Sequence, residues 1–188
     1  MGTQGTESQP WTGVVLAGGH SSRMGRDKAQ LPWRGQTLLA HACATLQAAG
    51  AARVVVSGDY PGFDCVADGA PGLGPLGGVA SVVAAVPDGP LVLIPVDMPL
   101  LSPALLRQLA ADGRARCVVY RDYILPMRLS VDALSRVLIG RLLADPAAGR
   151  SMRALHATLG GASIQPRVGA AVELVNCNTP EQWQAVTP

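Results

Sequence analysis

Short apolar runs rich in β-branched residues recur along the chain at residues 13–16, 53–56, 91–94 and 116–119, and stretches of helical periodicity, such as 37–49 and 103–111, separate them. Strand-length runs that alternate with helices leave few architectures open, because a strand apolar on both faces must be covered on both faces. The alternation predicts an α/β domain of the Rossmann-like type, a mostly parallel sheet with helices on both faces. Gly50 falls where the first helix should stop, and Pro103, preceded by Ser102 as an N-cap, falls where another should start.

Beyond Tyr120 the pattern loosens. A strand is expected within 124–131, helices over 132–143 and 150–159, a short closing strand at 172–175, and a last helix opened by Thr179 and Pro180. The expectation is a flexible tail over residues 1–12 and a single domain over 13–188, with the part after Tyr120 inserted or appended. Hydrophobic residues supply 48% of the chain and aromatic residues 4%, so Ala, Val and Leu must build the core.

Net charge is +2 and no block of Lys and Arg stands out, which argues against a nucleic-acid backbone as partner. No segment approaches the ~18 consecutive apolar residues of a membrane span, and residues 1–10 hold no apolar run of the kind a secretory signal needs. Cys43, Cys65, Cys117 and Cys177 form no CxxC pair and no zinc-ligand spacing, so a reducing, cytoplasmic setting is expected.

Four segments carry chemistry. In "VVLAGGHSSRMGRDKAQL", residues 14–31, an apolar strand runs into a loop with Gly18, Gly19 and Gly25 beside Arg23, Arg26 and Lys28. Glycines let backbone N–H groups approach an anion and the bases offset its charge, so the loop suits a polyphosphate; a glycine-rich surface turn is the alternative. The Walker A spacing is absent, since Ala29 follows Lys28. In "PGLGPLGG" the glycines Gly72, Gly74 and Gly77 match G-x-G-x-x-G, but the strand before them is weak and Pro75 interrupts the turn, which disfavours an NAD-dependent oxidoreductase.

The third segment, "LVLIPVDMPLLSP", delivers Asp97 at the carboxyl end of a strand, where open α/β sheets bind ligands and a carboxylate is placed to hold magnesium. A turn-forming or capping aspartate is the plain alternative. In "VNCNTPEQW" Asn176 and Asn178 share one side of an extended backbone, although Asn178 also suits a turn or cap. His20, His41 and His156 show no partner pattern; His41 and His156 read as structural.

Taken in order, "LAGGHSSRMGRDK", "PGLGPLGG", "VDMP" and "VNCNTPE" resemble the signatures of the molybdenum cofactor guanylyltransferases, across residues 13–181. Asp27 before Lys28 resembles the guanylyl branch; the related molybdopterin cytidylyltransferases tend to carry proline there. The resemblance implies a magnesium-dependent nucleotidyltransferase that takes GTP and molybdopterin or molybdenum cofactor, with a cytidylyltransferase acting on molybdopterin, or another nucleotidyltransferase of the same superfamily, as the alternative. It also implies contact with proteins of cofactor delivery and molybdoenzyme maturation.

By the same resemblance, Leu16, Ala17, Gly18 and Gly19 contact the nucleotide through backbone, and Arg23 and Lys28 meet the triphosphate. Asp68 and Asp97 contribute to nucleotide binding, with Asp97 on the magnesium, and Asn176 and Asn178 shape the catalytic region near the acceptor. Ser57 stands where an asparagine that contacts the nucleotide is expected; a hydroxyl there can still donate or accept a bond. A non-catalytic nucleotide-binding module could dispense with Lys28 and Asp97, and both are present.

Overall fold

A computed structural model describes residues 9–17, 27–69, 73–145, 147 and 149–186. In chain order the elements are β1 (Thr12–Leu16), a 3-10 turn (Lys28–Gln30), the small hairpin β2 (Pro32–Trp33) and β3 (Gln36–Thr37), α1 (Leu38–Ala48), β4 (Arg53–Ser57), β5 (Cys65–Val66) and α2 (Gly74–Ala85). They continue with β6 (Gly89–Pro95), α3 (Pro103–Ala111), β7 (Cys117–Tyr120), β8 (Met127–Val131), α4 (Ala133–Ala144), α5 (Met152–Thr158), β9 (Ala162–Ile164), a second 3-10 turn (Ala170–Leu174) and α6 (Pro180–Val186).

The main sheet runs in the order β5-β4-β1-β6-β8-β7-β9, and β8 alone is antiparallel to its neighbours. Strand periodicity divides the apolar side chains between two cores. Val15, Val56, Val92, Ile94, Val118 and Tyr120 face the layer of α1 and α3. Their neighbours Val14, Val55, Leu91, Leu93, Cys117 and Val119 face the layer of α2, α4 and α5. The continuous apolar runs in the sequence are thus the signature of strands covered on both sides.

Helix ends follow local chemistry. Thr37, Ser102 and Ser151 each accept a backbone N–H of the first turn, and Asp132 with Ser135 forms a reciprocal capping box. Gly50, at φ +95°, turns the chain out of α1 in a conformation that costs other residues dearly.

Three expectations change. Trp11 and Thr12, assigned to the tail, belong to the fold: Trp11 is 8% exposed and its carbonyl accepts the Ala52 N–H. The part after Tyr120 is neither insertion nor appendage, because β8 lies between β6 and β7 in the same sheet. Residues 172–175 do not form a strand: β9 already occupies the sheet edge beside β7, and Ala170 and Leu174 bury one side of a 3-10 turn while Val172 faces solvent.

Candidate active site

β1 is flanked by β4 on one side and β6 on the other, so successive connections leave it in opposite directions and open a crevice at its carboxyl end. Leu16 and Ala17 form one wall: the Leu16 carbonyl accepts the Val96 N–H at 3.2 Å, and the Ala17 N–H donates to the Ser57 carbonyl at 3.3 Å. Asp97 follows β6 on the other wall. Its backbone carbonyl accepts the Cys177 N–H at 2.8 Å, which ties the segment before α6 onto the crevice.

Lys28 spans the opening. Its Nζ donates to Asp97 Oδ2 at 3.0 Å and to Asn178 Oδ1 at 2.8 Å, joining residues 69 and 150 positions away along the chain. Asp27 sets its direction, since Asp27 Oδ1 accepts the Ala29 N–H at 3.0 Å and caps the 3-10 turn on which Lys28 sits. The Lys28 and Asp97 side chains are only 13% and 17% exposed, so the pair is poorly screened by water. Asp97 Oδ1, in contrast, is buried and accepts no hydrogen bond among the described residues.

Asn178 does two jobs with different atoms. Its side chain reaches Lys28, while its backbone N–H donates to Gln182 Oε1 at 2.8 Å. Thr179, not Asn178, is the residue whose side chain accepts a backbone N–H of α6, from Gln182 at 3.3 Å. The cluster is a cation held by one carboxylate and one amide, with one carboxylate oxygen left over. Such an arrangement can offer positive charge to a phosphate and an unpaired anionic oxygen to a divalent cation.

A family model for the MobA-like NTP transferase domain matches residues 13–162. The chain belongs to the MobA-like NTP transferase family. It is 53% identical, over 95% of both chains, to the molybdenum cofactor guanylyltransferase of Xanthomonas euvesicatoria pv. vesicatoria. The fold is that of molybdopterin-guanine dinucleotide biosynthesis protein A from Archaeoglobus fulgidus, with a TM-score of 0.74 at 17% identity over 93% of this chain and 95% of that one. It is also that of 2-C-methyl-D-erythritol 4-phosphate cytidylyltransferase from Thermus thermophilus, with a TM-score of 0.69 at 18% identity over 92% and 95%. The chain is a nucleotidyltransferase, and the sheet described above is the α/β fold of that class.

In this MobA-like transferase, then, Lys28, Asp97 and Asn178 meet directly, and Leu16, Ala17 and Ser57 lie together at the adjoining strand ends. Asn176 is exposed on the same segment as Asn178, across buried Cys177. Asp68 is exposed, two residues past β5 at the same end of the sheet, and the next N–H, of Gly69, donates to Ser81 Oγ on α2 at 3.0 Å. Gly18, Gly19 and Arg23, with Gly25 and Arg26, lie outside the described residues.

Ser57 is 3% exposed and faces α2 where Gly78 lets the helix come close: a Cβ on Gly78 would sit 2.4 Å from Ser57 Oγ. The glycine segment read against a dinucleotide fingerprint is therefore helical from Gly74 onward, with Gly77 and Gly78 packed inside α2. That corrects the turn expected around Pro75, which instead occupies the first turn of the helix.

One residue at the crevice escaped the sequence. Tyr60 places its hydroxyl 3.1 Å from the Ala17 carbonyl and 3.2 Å from Asp27 Oδ1. Burial first, then the Asp27 carboxylate, pushes its phenol up to about 12, so it stays a donor. His41 Nε2 lies 2.9 Å from the Pro99 carbonyl and steadies the turn after Asp97. Cys177 is 2% exposed, and burial first, then the Asp97 carboxylate, raises its thiol above the ordinary range.

Proposed function

We propose that this chain transfers GMP from GTP to the terminal phosphate of molybdopterin, releasing pyrophosphate and forming molybdopterin guanine dinucleotide. The observation that carries this reading is the meeting of Lys28, Asp97 and Asn178 at the crevice of a MobA-like domain. A phosphate monoester is already ionised near neutral pH, so it attacks the α-phosphorus without a general base. The protein then has to supply alignment and charge neutralisation.

Lys28 exchanges its carboxylate and amide partners for phosphate oxygens and offsets the charge that grows on departing pyrophosphate. Leu16 and Ala17, with Gly18 and Gly19, present backbone to the nucleoside, and Arg23 joins Lys28 on the triphosphate. Ser57 and Asp68 line the nucleotide side. Asn178 and Asn176 stand on the acceptor side, and Asn178, bonded to Lys28, links the two halves.

Magnesium fits the donor set. Asp97 offers a buried carboxylate oxygen with no partner among the described residues, and no group of three or more His, Cys, Asp or Glu ligands forms there. Magnesium keeps much of its water and takes one or two carboxylates together with substrate phosphates, as one aspartate permits. Bound there by Asp97, the ion would supply further positive charge to the triphosphate.

No helix among the described residues is long and apolar enough to cross a membrane. A cytoplasmic site of action, where reduced thiols and free GTP coexist, and transient contact with proteins that deliver the pterin and receive the product complete the proposal. Pyrophosphate release with molybdopterin and each nucleoside triphosphate in turn tests it. GTP should outpace CTP by on the order of a hundredfold or more, since a site that pairs with one base edge leaves polar groups unpaired against another. Equal or faster use of CTP would assign the chain to the cytidylyl branch instead.

A further inference from the structure

The Tyr60 hydroxyl touches neither Lys28 nor Asp97, yet it lies within hydrogen-bond distance of the residues on either side of 18–26. One acceptor is the Ala17 carbonyl at the end of β1, at 3.1 Å; the other is Asp27 Oδ1, at 3.2 Å, ten residues later. The same Asp27 oxygen accepts the Ala29 N–H and so caps the turn that carries Lys28. Tyr60 is anchored at both its backbone N–H and its carbonyl. Its backbone N–H donates to Cys65 Sγ at 3.3 Å, the Cys65 thiol donates to its carbonyl at 3.3 Å, and the Phe63 N–H donates to the same carbonyl at 3.2 Å.

We infer that Tyr60 is a positioning residue for triphosphate binding: through Asp27 it fixes the turn from which Lys28 reaches the crevice, and through Ala17 it fixes that turn relative to the nucleoside wall. The inference rests on the reading of Lys28 as a phosphate-binding group. A neutral phenol suits this task. Its single proton is shared between the Ala17 carbonyl and Asp27 Oδ1, and it adds no cation that would compete with Lys28 for the phosphate.

The test is calorimetric titration of GTP with magnesium into the wild-type chain, Tyr60→Phe, Lys28→Ala and the double variant, each with a thermal melt. Tyr60→Phe keeps the ring and its packing, so its melt should stay close to wild type while GTP affinity falls about tenfold, the size of one hydrogen bond to a charged group. In the Lys28→Ala background the same change should cost less than about threefold, because the group it positions is gone. A purely structural tyrosine would lower the melt and leave GTP affinity alone. Should Lys28→Ala bind GTP as well as wild type, the phosphate-site reading fails and the Tyr60 assignment falls with it. If Lys28→Ala weakens binding but Tyr60→Phe stays within twofold of wild type, or costs as much in both backgrounds, only the Tyr60 assignment is overturned.

Discussion

Two largely enclosed cations, Lys28 on the 3-10 turn at the crevice and Arg128 on antiparallel β8, are treated in opposite ways. Arg128, on antiparallel β8, is 7% exposed and is held mainly by neutral oxygens: its Nε donates to the Ala110 carbonyl at 3.3 Å, and its Nη1 to the Ala115 carbonyl at 3.4 Å and to Ser130 Oγ at 2.9 Å. Burial pulls the guanidinium below its usual range, and Asp112 nearby opposes that pull. Lys28 is held by a carboxylate and an amide that both belong to other segments, and one oxygen of that carboxylate has no partner among the described residues. Arg128 closes a carbonyl at the end of α3 and one in the loop before β7. Lys28, in the proposed function, is held by partners it can leave.

Asp97 gives the largest expected break in that comparison. Asp97→Asn is nearly isosteric and keeps the backbone carbonyl that receives Cys177, so the fold should survive. An amide holds neither the Lys28 ammonium by charge nor a magnesium ion, and several kcal/mol of barrier, roughly a thousandfold in rate, should be lost. Transfer within a factor of two of wild type at low magnesium would remove the metal from Asp97. The melt of this variant should stay level or fall, because the Lys28 ammonium loses its charged partner and a buried amide atom takes the place of the unpartnered oxygen.

Lys28→Ala comes next, at about a hundredfold in rate, the usual scale for a charge-assisted contact made to a leaving group. Arg26→Ala, two residues earlier, should cost little, since Arg26 fills a variable slot of the signature the chain resembles. Steady-state kinetics on both variants, with circular dichroism to confirm folding, read this directly. Similar losses from the two would mean that positive charge in this stretch acts without regard to position.

The sequence made the parallel half of the molecule legible and the junction only in part. Continuous β-branched runs at β1, β4 and β6 could be read because burial on both faces removes polar alternation, and Pro103 after Ser102 marked α3 to the residue. α2 escaped because its glycines read as a turn: Gly77 and Gly78 serve close packing against β4, a tertiary fact with no local sign. The 3-10 turn at Ala170–Leu174 escaped because Val172 and Val175 suggest a strand by propensity, while the free edge that such a strand needs is taken by β9. Lys28, Asp97 and Asn178 were each nameable from motifs. That one ammonium touches both others depends on a backbone bond between Cys177 and Asp97, which no spacing encodes. Tyr60 lay in a turn with no motif around it.

The smallest expected effect on rate, and the sharpest contrast, comes from Arg128→Leu. The leucine covers the apolar part of the site but leaves the Ala110 and Ala115 carbonyls without their donor, and an orphaned buried acceptor costs about 1–3 kcal/mol. Relief from burying a guanidinium returns part of that, so a net loss of about 2 kcal/mol is expected, or a melt lowered by roughly 5 °C in a domain of this size. Arg128 lies on β8, away from the β1–β6 crevice, so kcat and KM for GTP measured well below the melt should stay within twofold of wild type. Thermal melts paired with kinetics on Arg128→Leu and Asp97→Asn then form a crossed comparison, in which one variant loses stability and keeps its rate and the other loses rate far out of proportion to any change in its melt. A rate loss at Arg128 with an unchanged melt would show that the antiparallel half takes part in the chemistry, and the division between the two cations would have to be redrawn.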